Sequence, residues 1–108
     1  MNNFFIVIPT RDRLDFLCNL LKDLNYFTPY ISQVLIVDQS VDSMDEPLAG
    51  LNLGFKYTLV KNSRSSSVNH SRNLALDYYK DEEFLFFMDD DLRISKSVFD
   101  GIVSFLNK

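Results

Sequence analysis

Asp89, Asp90 and Asp91 follow directly on an apolar run, Phe84-Leu85-Phe86-Phe87-Met88. Hard cations such as Mg²⁺ or Mn²⁺ take carboxylate oxygens and often bridge a substrate's phosphates. Three carboxylates at the tip of a strand therefore suggest a metal and phosphate site. On an extended backbone alternate side chains share a face, so Asp89 and Asp91 are expected to point the same way. Two carboxylates aimed at one point repel unless a cation or a proton joins them. An acidic exit turn, where aspartates are common, accounts for the same residues with no ligand.

Other candidates are spread along the chain. Asp38 ends the apolar run Val34-Leu35-Ile36-Val37, where a carboxylate can accept from a sugar hydroxyl or a base N–H. Alone it is equally a turn or cap residue. Lys61, Arg64 and Arg72 cluster basic charge locally. Arg64 and the serines Ser65-Ser66-Ser67 precede an expected helix start, a place receptive to phosphate; a solvated loop is the plainer alternative. Arg72 can fork onto a carboxylate or phosphate, or make a surface salt bridge. His70, the only histidine, reads as a lone surface residue. With three glycines and neither GxGxxG nor GxxxxGK[ST], the chain has no glycine-rich phosphate cradle.

The elements that must position these residues follow from periodicity. Phe4-Phe5-Ile6-Val7-Ile8 is aromatic and β-branched, a first strand that Pro9 should stop. Thr10-Arg11-Asp12-Arg13 connects to a helix, with Asp12 as its candidate cap. From Arg13 to Leu24, Leu14, Leu17, Leu20, Leu21 and Leu24 fall at helix spacing, with Cys18 a small buried filler beside them. Val34–Val37 is a second strand and residues 46–54 an irregular connection. Phe55 to Val60 is a third strand, half-exposed and at an edge. Val68 to Tyr79 is a helix packed through Val68, Ser71, Ala75 and Tyr78 or Tyr79, with Ser66 or Ser67 as its cap. Phe84 to Met88 is a fourth strand, buried on both faces. Val98, Phe99, Ile102, Phe105 and Leu106 form the face of a last helix, with Ser95 or Ser97 as its cap. The order β-α-β-β-α-β-α, with three strands reading as central, predicts a three-layer α/β/α Rossmann-like sandwich. Its sheet is mostly parallel, in the order 3-2-1-4. That order puts a switch point between strands one and four, where ligands bind beyond the strand ends.

The totals bound the reading. The chain has 108 residues, 46% hydrophobic with ten Phe, enough for one domain with a real core. A net charge of −4 argues against broad nucleic-acid binding, which needs a basic face. One cysteine makes no internal disulfide. No apolar run reaches transmembrane length, and Met1-Asn2-Asn3 has no basic signal-peptide region.

Four segments in order carry a resemblance: Phe5 to Arg13, Val37-Asp38-Gln39-Ser40, Ser71-Arg72-Asn73-Leu74-Ala75, and Phe87-Met88-Asp89-Asp90-Asp91. Together they resemble the amino-terminal half of family 2 glycosyltransferases, which have the GT-A fold. The resemblance implies a nucleotide-sugar donor site. Pro9 and Thr10 would line the nucleotide pocket with Arg11 nearby, Asp38 would contact the base, and Arg72 would shape the site. In the DxD motif, Asp89 and Asp90 would belong to the nucleotide-sugar site, with Asp89 approaching the ribose, and Asp91, together with Asp89, would hold Mn²⁺ or Mg²⁺ on the diphosphate. Asp38-Gln39-Ser40 departs from the usual Asp-Asp/Asn-Gly-Ser, which reads as a subfamily difference.

The resemblance further implies that the acceptor site and catalytic base lie beyond the DxD motif. The expectation is a single domain over 1–108 that is a truncated, donor-binding half for inverting transfer, since Asp100 sits in a helix and no evident base follows Asp91. The expected ligand is a UDP-, GDP- or dTDP-linked sugar. The alternative is a non-catalytic nucleotide-binding or oligomerising module derived from such an enzyme. There, a homo-oligomer or another partner would cover an exposed sheet edge. A cytoplasmic setting is expected, because nucleotide sugars are made there, with membrane association only through a missing segment. A response-regulator-like domain also clusters aspartates at strand tips, but wants an acidic pair where this chain has Pro9-Thr10.

Overall fold

A computed structural model describes the backbone of residues 3–61, 68–82 and 84–106, with side chains except those of 68–72. The described residues form β1 (Phe4–Thr10), α1 (Leu14–Asn25), β2 (Ile31–Asp38), α2 (Asp45–Ala49), β3 (Tyr57–Lys61), α3 (Val68–Tyr78), β4 (Phe84–Phe87) and α4 (Lys96–Leu106), with a 3-10 turn at Thr28–Tyr30. The strands make one sheet in the order β3-β2-β1-β4, and every neighbouring pair is parallel. This is the expected α/β architecture and strand order.

The pleat divides the apolar runs between two faces. Phe4, Ile6 and Ile8 of β1, with Val34 and Ile36 of β2, pack against Leu17, Leu20, Leu21 and Leu24 of α1 and Phe99 of α4. Phe5, Val7, Leu35 and Val37 face the other way, onto Ala75 of α3. Helices on both faces explain why β1 and β2 read as unbroken hydrophobic stretches. The aromatic centre is dense: Phe27 and Phe99 stack with centroids 4.0 Å apart, and Phe4 lies among Tyr30, Phe84, Phe86 and Phe99.

Several local expectations are corrected. Pro9 does not stop β1, which continues to Thr10 with Pro9 opposite Val37. The Val7 carbonyl accepts from Met88 N–H. Two residues on, Pro9 turns its missing donor to the same side, past the end of β4. The proline therefore ends the β1–β4 ladder, not the strand. The 45–49 segment is a short helix that buries Leu48, not irregular chain. Pro47 is tolerated because it lies in the first helical turn, and the helix forms part of the crossover that a parallel β2–β3 pair requires.

Asp12 does not cap α1; Arg13 is the N-cap residue and makes no side-chain capping bond. β4 is an edge strand rather than one buried on both faces, with Leu85 and Phe87 about 40% exposed (37% and 43%). They share a face with Phe5 and Val7, their register partners, but α3 covers only the latter pair. In α4, Phe99 is buried and Val103 and Leu106 pack on the core, while Val98 and Phe105 of the expected face are exposed. Cys18 is half-buried, with burial raising its thiol pKa above the ordinary value. Ser95 does cap α4, accepting from Val98 N–H at 3.2 Å. Val68, Ser71 and the serine caps of α3 lie outside the described side chains.

Two carboxylates tie the layers together. Asp23 of α1 accepts from Arg93 at 2.8 and 3.2 Å and from Ile94 N–H at 2.8 Å. The Arg93 hydrogen bond holds its carboxyl below the ordinary 3.8, against an opposing effect of burial. Glu82 is buried and accepts from Ser32, Gln33 and Lys80 N–H. Burial pushes Glu82 up, but its hydrogen bonds, that of Lys80 N–H foremost, leave it below the ordinary 4.5. Both groups titrate lower when folded. Their contribution is complete above the ordinary carboxylate range and is lost as pH falls through the folded values. Urea midpoints should therefore stay level from pH 7 to about 5 and then fall. The Asp23→Asn, Glu82→Gln double variant should show a shallower acid limb.

Candidate functional site

The carboxyl ends of all four strands meet along one rim. Thr10 ends β1, Asp38 ends β2, Lys61 ends β3, and Asp89 to Asp91 follow β4. Parallel pairing makes this convergence automatic, because every strand tip then lies on the same side of the sheet.

The acidic segment does not continue as a strand. β4 ends at Phe87, and Leu92 N–H closes a turn onto the Asp89 carbonyl at 3.2 Å. The middle aspartate is the buried one. Thr10 Oγ1 donates to Asp90 Oδ2 at 2.9 Å and Arg13 Nη1 to Asp90 Oδ1 at 3.4 Å. Asp89 and Asp91 are exposed on either side. The expectation that they share a strand face is replaced by a turn anchored through Asp90. Arg13 also stands 3.7 Å from Asp91.

Asp38 is almost wholly buried, at 1% exposure. Its Oδ1 accepts from Ser40 N–H at 2.7 Å, and its Oδ2 lies 3.6 Å from Lys61 Nζ. Lys61 Nζ also donates to the Ser40 carbonyl. The two rim loops are tied together as well: Asp12 N–H donates to Ser40 Oγ at 2.7 Å, and Val41 N–H to Asp12 Oδ1 at 3.0 Å. Asp12 reaches this position at φ 54°, a left-handed conformation that aspartate tolerates better than most residues.

Two shallow clefts open on the rim. One, of about 310 Å³, is lined by Pro9, Thr10, Arg11, Arg13, Gln39 and Asp90. Its neighbour, of about 340 Å³, is lined by Asp38, Val41, Ser43, Met44, Asp45, Leu59 and Lys61. The backbone bond from Gln39 N–H to the Thr10 carbonyl, 2.9 Å, lies between them. Pro9, Thr10, Arg11 and Asp90 thus come together as expected, while Asp38 faces the adjoining cleft. Arg72 lies in α3 with its side chain outside the described residues, as does His70; Arg64 lies outside them altogether.

Sequence reasoning missed two contacts. Lys61 was legible as basic but not as the counter-ion of Asp38. Arg13 carried a usable signal: a cation at a helix N-terminus opposes the helix dipole and calls for an acidic neighbour. Lys61→Met should cost about 1 kcal/mol, small because the lysine is half in water. Adding Asp38→Asn should restore most of that loss, as a double-mutant cycle of urea melts would measure.

Among the described residues, no three histidine, cysteine or acidic side chains converge as a metal cage. Asp89 and Asp91 supply two exposed oxygen donors. Mg²⁺ commonly keeps water and phosphate ligands beside one or two carboxylates. The donor set therefore fits a cation shared with a diphosphate, not an ion held by protein alone.

No helix among the described residues is long and apolar enough to cross a membrane. No curated protein matches the chain. Two crystal structures, of S. aureus TarS 1-349 and of S. aureus TarS, superpose with a TM-score of 0.77 at 22% identity over 99% of this chain. The chain spans 32% of the first and 20% of the second. At that identity the likeness shows a shared fold, that of the amino-terminal half of GT-A glycosyltransferases. The family described as Glycosyl transferase family 2 matches residues 5–108, nearly the whole sequence, and the chain belongs to that family.

Proposed function

We propose that this chain is the donor-binding part of an inverting glycosyltransferase, taking a nucleoside-diphosphate sugar together with Mn²⁺ or Mg²⁺. Family membership implies a nucleotide-sugar donor in general. The observation that carries the finer reading is the rim itself, where Thr10 and Asp38 end neighbouring parallel strands and the turn after β4 brings up the buried Asp90 with the exposed Asp89 and Asp91. In this reading Asp38 serves the base, Pro9, Thr10, Arg11 and Arg72 the nucleotide, Asp89 the ribose and the metal, and Asp91 the metal. Asp90 holds their turn in place through Thr10. A base reaching Asp38 must share it with Lys61 or displace that ammonium. When bound, the cation supplies Lewis-acid stabilisation of charge on the departing nucleotide.

The acceptor site and the general base that an inverting transfer needs come from outside residues 1–108 in this reading. It is supported by the chain's 32% share of the TarS 1-349 structure. Alone, the chain should transfer sugar poorly or not at all. Calorimetric titration with UDP, GDP and dTDP, with and without Mn²⁺, tests the proposal. Binding that requires the metal is expected. Equal binding without Mn²⁺ would remove the metal from the site, and no binding under any condition would overturn the donor reading for this chain.

One observation favours a second reading, an oligomerising module. Among the described residues β4 is paired only with β1, and it exposes Leu85 and Phe87 beside its other edge. Such an edge is a template for strand pairing, here with a second copy. A monomer by light scattering at high concentration would count against it.

A further inference from the structure

Arg13 sits where a cation is electrostatically disfavoured, at the N-cap of α1, facing the positive end of the helix dipole. It is held there by the acidic turn. Its Nη1 lies 3.4 Å from Asp90 Oδ1 and 3.7 Å from Asp91 Oδ2, with the guanidinium 5.9 Å from the centre of the Phe16 ring. The two aspartates are not equivalent partners. Asp90 is buried and fixed by Thr10, whereas the Asp91 side chain is 54% exposed and that of Arg13 is 52% exposed. Arg13 also lines the cleft formed with Thr10 and Arg11. It can therefore leave Asp91 without unfolding anything and remain beside the cleft.

We propose that Arg13 is a positioning residue that couples metal binding to diphosphate binding. The inference rests on the donor-site reading above. In the ligand-free chain the guanidinium neutralises Asp91 and holds the turn closed. A divalent cation arriving alone must take Asp91 from Arg13 and is then repelled by it at short range. A cation arriving with a diphosphate brings negative charge that the guanidinium can grip as a fork. Arg13 then exchanges Asp91 for phosphate, no charge is left unpaired, and metal and nucleotide bind far better together than separately.

The test is the sign of two effects in one variant. For Arg13→Gln, Mn²⁺ alone, followed by the electron paramagnetic resonance of the free ion, should bind about fivefold more tightly. UDP at saturating Mn²⁺, followed by calorimetry, should bind about tenfold more weakly. Arg13→Lys, which keeps the charge but not the fork, should leave Mn²⁺ affinity within about threefold of the parent and should weaken UDP binding, though by less than Arg13→Gln does. A purely structural arginine would weaken both affinities on removal. That result, or no change in either, would overturn the proposal. Asp91→Ala, run in parallel, separates the two levels. If it binds Mn²⁺ and UDP like the parent, the donor-site reading itself fails. If it loses them while the Arg13 variants match the parent, only the coupling role falls.

Discussion

Asp91→Ala is expected to weaken metal-dependent nucleotide binding by at least about 100-fold while leaving the fold intact, an effect of about 2.7 kcal/mol. The two halves of that expectation have separate causes. Asp91 is an exposed carboxylate whose salt-bridge contact, Arg13 at 3.7 Å, is long and partly in water. Removing it should change stability by less than about 0.5 kcal/mol. As the proposed metal ligand, however, it supplies one of only two exposed oxygen donors on the turn. Asp90→Ala should behave differently. It strips Thr10 of a buried acceptor and releases the turn, so it should lower stability as well as binding. Calorimetry and urea melts on the two variants distinguish a ligand from an anchor. Unchanged nucleotide binding in Asp91→Ala would overturn the donor-site reading.

The largest effect on stability is expected at Phe4. Its ring is 1% exposed and meets Phe86 at 5.2 Å, Phe84 at 5.7 Å and Phe99 at 5.8 Å between centroids. Phe4→Ala opens a cavity where β1, β4 and α4 meet, at a cost of about 4 kcal/mol. For a domain of this size that lowers Tm by roughly 20 °C. Phe105→Ala, at a position 71% exposed on α4, is the matched control and should shift Tm by no more than a few degrees. Comparable losses in the two variants would contradict the assigned core.

The strands and their order were legible because continuous apolar runs such as Phe4 to Ile8 and Val34 to Val37 have one economical use, burial between two helical layers. The same logic misjudged β4. An apolar run records that side chains avoid water, not which neighbour covers them, and Leu85 and Phe87 face outward where α3 does not reach. The helix at 45–49 was hidden by Pro47 and Gly50, which punctuate most segments but are tolerated at the two ends of a short helix. At the site, the positions of Asp38 and the aspartate run were readable from where the strands end. Their environments were not. Burial of Asp90, rather than of its neighbours, depends on Thr10 and Arg13, 80 and 77 residues away along the chain. Likewise Lys61 meets Asp38 only because β3 lies parallel beside β2.

The central claim is that a metal and a nucleoside diphosphate bind together on this rim. Amide NMR spectra of the chain, titrated with Mg²⁺ and UDP and then with traces of Mn²⁺, test it most directly. The account predicts shifts confined to residues 10–13, 38–41, 61, 72 and 89–92, requiring both components, with Mn²⁺ broadening Asp89 to Leu92 first. Shifts centred elsewhere, or no broadening at the acidic turn, would contradict it.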